Sequence, residues 1–161
     1  MERLASIKAM FQSVGRLLYD PHKSGIRIIK PSDHWIILKT GEGIVEYYKW
    51  WLNKLFQLKF EKTIWGSHIS VNRGVRPPIK EPWGKYEGEQ IEFTYTNRVY
   101  RANEIFFCVD AYSKRLEEIR TELGLNAQPN YGFHLTIARL NKLQSLERAK
   151  AICPDLLEKE K

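Results

Sequence analysis

The sequence predicts an α+β domain of two related lobes: antiparallel sheets around a central cleft, with helices on the outside. Three observations carry this. Amphipathic helical stripes alternate with short runs rich in β-branched and aromatic residues. A helix followed by a histidine-bearing strand occurs twice, with Gln57 standing 11 residues before His68 and Leu123 standing 11 before His134. An irregular stretch, 73–89, separates the two copies. Two copies are too few for a solenoid, so they are read as lobes of a single domain over 1–161, approximately 26–74 and 90–140, behind an amino-terminal helical extension over 1–25.

Each element follows from local pattern. From Glu2 to Leu18, the residues Leu4, Ile7, Phe11, Val14 and Leu18 fall at three- and four-residue spacings, which predicts an amphipathic helix weakened by Gly15. Asp20-Pro21 and Ser24-Gly25 mark a turn. Ile26–Ile29 and Trp35–Leu38 read as strands. Ile44, Tyr47, Tyr48, Trp51, Leu52 and Leu55 form a helical stripe over 42–57. Thr63–Val71 reads as a strand, and the prolines and glycines of 73–89 forbid a long regular element. Gln90–Thr96 alternates as a half-buried strand does, and Ile105–Val109 reads as a central one. A helix over Tyr112–Leu123 stops at Gly124. Phe133–Leu140 is the last strand, and a helical tail runs from Leu143 to Ile152.

Composition narrows the class of partner. The 161 residues carry a formal net charge of +7, which points to anionic partners such as nucleotides or nucleic acid. No stretch is apolar enough to span a bilayer, and charges interrupt any secretory pattern at the amino terminus, so a cytoplasmic location is expected. Cys108 and Cys153 are far apart and lack metal-site spacing; Cys108, within an apolar run, reads as a buried thiol.

The chemistry resides in two strands. Residues i and i+2 of a strand share a face, so His68 projects with Ser70, and His134 with Thr136. An imidazole beside a hydroxyl, twice, suits transesterification at phosphorus. One neutral ring takes a proton from the attacking hydroxyl, and one charged ring protonates the departing oxygen. The hydroxyls donate to non-bridging oxygens as negative charge grows, which leaves no duty for a metal or cofactor. His-x-Ser/Thr is a short pattern with a third instance at His22-Lys23-Ser24, so strand context and repetition single out the other two. His22 and His34 read as surface or structural residues. Sequence does not assign acid and base, although His68 is favoured as the base.

These segments resemble the two-histidine phosphoesterases, and within them the phage anti-CBASS phosphodiesterases. The resemblance rests on Trp65-Gly66-Ser67-His68-Ile69-Ser70-Val71 with Arg73-Gly74, Trp83-Gly84-Lys85-Tyr86 and Ile91-Glu92-Phe93. Glu117-Glu118-Ile119-Arg120, Leu123-Gly124-Leu125 and Phe133-His134-Leu135-Thr136-Ile137 complete it. It implies the duplicated fold and metal-independent cleavage of cyclic di- and trinucleotides through a 2′,3′-cyclic phosphate, in the host bacterial cytoplasm. Ser70 stands where the wider group often has threonine, which keeps the hydroxyl. The alternatives are a phosphodiesterase acting on 2′,3′-cyclic RNA ends and a non-catalytic nucleotide- or RNA-binding module. No obligate protein partner is evident. The resemblance does not locate base-binding residues. Trp35, Trp83, Tyr86 and Tyr100 suit stacking on nucleobases, and Arg73, Arg76 and Lys85 suit phosphates.

Overall fold

The computed structural model describes residues 10–21, 34–61, 65–102 and 105–141. The expected strand at Ile26–Ile29, the helical tail from Leu143, His22 and Cys153 lie outside them.

Seven strands alternate with two helices among the described residues: β1 (Met10–Tyr19), β2 (Trp35–Lys39), α1 (Glu42–Phe56), β3 (His68–Arg73), β4 (Gln90–Thr96), β5 (Tyr100–Ala102), β6 (Phe106–Tyr112), α2 (Lys114–Glu122) and β7 (His134–Arg139). All the pairings are antiparallel, in the order β4-β1-β2-β3-β7-β6-β5, and a further pairing joins β4 to β6. That contact closes a six-stranded barrel, β4-β1-β2-β3-β7-β6. β5 and β4 share one edge of β6 in succession, Tyr100 opposite Cys108 and Tyr95 opposite Ala111. Closure leaves few unpaired backbone groups at sheet edges.

The barrel overturns the two-lobed expectation, and β1 shows why. The segment read as a helix is, from Met10 onward, a strand hydrogen-bonded to β2 on one side and β4 on the other. Together with the β3–β7 pairing it joins the two halves the lobes would have kept apart, so no cleft opens between separate sheets. The three- and four-residue spacing of Phe11, Val14 and Leu18 misled, because these residues are exposed or half-buried, whereas Gly15 and Leu17 form the buried pair. Gly15 is no weak helical turn. A Cβ there would stand 2.6 Å from Leu38 Cγ and 2.8 Å from the Lys39 carbonyl oxygen, so only glycine lets β1 and β2 approach.

One face of the sheet is apolar. Leu17, Ile36, Leu38, Ile69, Val71, Val109, Leu135 and Ile137 are buried there in a single cluster, joined by Val45, Tyr48 and Leu52 of α1, by Leu116 and Ile119 of α2 and by Leu123, which caps α2. Arg120 fastens α2 to the histidine strand, its guanidinium donating to the Val71 carbonyl at 2.6 Å and to the Asn126 carbonyl at 2.7 Å. Burial pulls its pKa below the ordinary arginine value. Cys108 is a buried thiol, as expected. No helix among the described residues is long and apolar enough to cross a membrane.

Candidate active site

β3 and β7 are neighbours, paired through Ile69 and Leu135, both fully buried. The intervening residues face the other way, so His68, Ser70, His134 and Thr136 share the face opposite the apolar cluster, each half-buried. Extending the register by one residue in each direction sets His68 across from Thr136 and Ser70 across from His134. Each imidazole therefore lies beside the hydroxyl of the other motif as well as sharing a strand face with its own.

Adjacent strands extend these rows. In the first, Lys39 of β2 faces His68, and Cys108 of β6 faces Thr136, with Tyr100 of β5 beyond. In the second, Ile37 faces Ser70 and Asp110 faces His134. The Cys108 thiol lies 3.9 Å from Thr136 Oγ1.

Both histidines are held alike. His68 Nδ1 is 3.0 Å from the Gly66 carbonyl oxygen, and His134 Nδ1 is 3.1 Å from that of Gly132. A carbonyl only accepts, so Nδ1 carries the proton and Nε2 is left as the nitrogen that titrates. In both cases the glycine two residues upstream adopts a left-handed backbone, φ 65° at Gly66 and φ 67° at Gly132. The Gly66 turn is further supported. Glu42 accepts from the Ser67 amide at 3.0 Å and from Lys39 Nζ at 2.9 Å, and the Lys39 ammonium also donates to the Trp65 carbonyl. The buried Ser67 hydroxyl bonds Thr40 at 2.5 Å. Burial first lowers the His68 pKa below its ordinary value; the Gly66 carbonyl opposes this, and Lys39, Arg73 and His134 add to it.

The remaining predicted residues divide. Arg73 lies at the end of β3 with its guanidinium 5.1 Å over the Trp35 ring, so this pair flanks the histidine motif. Tyr100 stands in the first row, with Cys108 and Asp110 as its electrostatic neighbours. Burial, then Cys108 and Asp110, push its pKa far above the usual phenol value. Trp83 packs edge-on against Tyr19 and His34. Tyr86 donates to Glu122 of α2 at 2.6 Å, and Lys85 lies 3.8 Å from the same carboxylate. Tyr86 is also covered by the Arg115 guanidinium at 4.3 Å. These contacts commit Lys85 and Tyr86 to α2. Arg76 is exposed in the irregular loop.

Sequence reasoning missed Gly66 and Gly132, although the repeat Gly-x-His-x-Ser/Thr was legible. It also missed Lys39 and Asp110, which only strand register brings to the histidines. A groove of about 540 Å³ lined by Phe11, Ile44, Tyr47, Trp51 and Tyr95 contains neither histidine. The site is placed at β3 and β7 because the titratable groups and hydroxyls converge there. No family model matches the chain, and no curated protein or solved structure matches it either.

Proposed function

We propose that the chain is a metal-independent phosphodiesterase that cleaves the 3′,5′ linkages of cyclic di- and trinucleotides by attack of the substrate's own 2′-hydroxyl. One observation carries the reading: two imidazoles on adjacent strands, each anchored through Nδ1 to a glycine carbonyl and each beside two hydroxyls. With Nδ1 bonded to a carbonyl, Nε2 is the nitrogen through which each ring exchanges a proton with a substrate. The 2′-oxygen is tethered beside its phosphorus, so attack avoids most of the entropy cost of recruiting water. The O2′–P bond forms as the bond to the departing 5′-oxygen breaks. One imidazole takes the 2′ proton and the other supplies a proton to the leaving oxygen. Ser70 and Thr136 donate to the non-bridging oxygens, and Arg73 stands at the end of the same strand to attract the phosphate. The resemblance of the histidine segments to the two-histidine phosphoesterases supports the substrate class.

The test is a parallel hydrolysis assay, run with and without chelator, on a cyclic dinucleotide, a cyclic trinucleotide, RNA ending in a 2′,3′-cyclic phosphate and a cyclic dinucleotide with 2′-deoxyribose at the scissile linkage. Cleavage of the cyclic ribonucleotides, unaffected by chelator, with the deoxy analogue bound but intact, is expected. Turnover of only the RNA ends would replace the substrate class, and deoxy cleavage at a near-normal rate would replace the nucleophile. Binding without turnover of any substrate would leave a nucleotide-binding module.

A further inference from the structure

We propose that the cross-strand neighbours Lys39 and Asp110 polarise the histidine pair, making His68 the general base and His134 the general acid. The assignment rests on the phosphodiesterase reading above. Its basis is register: Lys39 lies directly opposite His68 between β2 and β3, and Asp110 directly opposite His134 between β6 and β7. Directly opposed residues share a face with Cβ atoms about 5 Å apart, close enough for a fixed charge to bias protonation.

The groups around each ring are of opposite character. Facing His68 are Lys39 from β2, Arg73 from its own strand and His134 from β7. Glu42, at the start of α1, also reaches this turn, where it is bonded to Lys39 Nζ and the Ser67 amide. Cations therefore dominate, and they favour the neutral ring that accepts a proton. Beside His134 stand Asp110 and Cys108 from β6, Tyr100 from β5 and His68 from β3. Asp110 is the carboxylate among them, directly opposite His134 in the β6–β7 register. α1 packs on the other face of β7 with Tyr48 of the apolar cluster, and at the far end of β7 Arg139 pairs with Glu61 at 3.4 Å. A carboxylate beside His134 favours the charged ring, the form that gives up a proton.

In the reaction, His68 Nε2 takes the 2′-hydroxyl proton and His134 Nε2 protonates the oxygen released from phosphorus. A leaving group stable as an anion does not need that second proton. Two substrates therefore separate the roles: a natural ribonucleotide linkage and a ribonucleoside 3′-(4-nitrophenyl phosphate), assayed with wild type, His68→Ala and His134→Ala of confirmed fold. His134→Ala is expected to lose at least about a hundredfold on the natural linkage and stay within about tenfold of wild type on the nitrophenyl ester. His68→Ala is expected to lose at least about a hundredfold on both. The reverse pattern, or equal losses, overturns the assignment while leaving the enzyme reading intact. A wild type that cleaves neither substrate overturns both.

The neighbours are tested by pH–rate profiles. Asp110→Asn is expected to move the alkaline limb down by about one pH unit, and Lys39→Met to move the acidic limb up, with Lys39→Arg restoring it. Limbs that stay in place in both variants overturn the polarising role of Lys39 and Asp110.

Discussion

The two histidine turns are built alike and surrounded differently. Each places a left-handed glycine two residues before the histidine, ties Nδ1 to that glycine's carbonyl and follows with a buried aliphatic residue and a hydroxyl. Their surroundings come from other parts of the chain. The Gly66 turn is wrapped by Lys39 and Glu42, and β3 ends in Arg73. β7 instead meets the Cys108–Asp110 edge of β6, with Tyr100 behind it. The same local sequence thus presents the same nitrogen twice, while the charge near that nitrogen is set by strands distant in sequence. Local repetition delivers geometry, and tertiary neighbours deliver chemistry.

Breaking either half of the pair is the largest perturbation. His68→Ala and His134→Ala are each expected to lower kcat/KM on the natural substrate by at least about a hundredfold. The double variant should be little worse than either single one, because proton removal and proton delivery act as a unit. Steady-state kinetics on the three variants decides this, and independent, multiplying losses would mean that the two turns do not share a reaction.

A subtler comparison uses the glycines. Alanine at either position must adopt the left-handed backbone, at a cost of about 1–2 kcal/mol. At Gly66 the new methyl would also collide with the Glu42 carboxylate and the Lys39 ammonium. Gly66→Ala should therefore lower Tm through strain and collision together, and both substitutions should impair turnover by loosening the Nδ1 anchor. A Gly66→Ala variant that melts like the wild type would remove the steric support assigned to Glu42 and Lys39.

The smallest expected effect is in titration. The folded His68 pKa lies below its ordinary value, chiefly through burial and then through its cationic neighbours. NMR should find His68 neutral to lower pH than a free histidine, whose pKa is about 6.5. Between that unfolded value and the lower folded one, the unfolded chain binds more protons, so stability falls as pH falls through this window. His68→Ala should flatten that part of the stability profile. A His68 that titrates at or above the ordinary value would remove the contrast between the turns.

Sequence alone went some distance. The helix α1, the strands β2 and β4 and the histidine strands were legible because each is a local periodicity of two or 3.6 residues, although the expected α1 stripe included the exposed Tyr47 and Leu55 and left out the buried Val45. So was the pairing of each histidine with the hydroxyl two positions on. β1 was not legible: its apolar residues fit a helical spacing, and only docking between β2 and β4, with Gly15 against Leu38, selects the extended chain. That element, with the β3–β7 and β4–β6 pairings, turns two expected lobes into a closed barrel. Tertiary structure alone also decided that His68 lies beside Thr136 and Lys39, and His134 beside Ser70 and Asp110. Strand register is fixed by which apolar side chains share the core, and no local stretch of sequence carries that information.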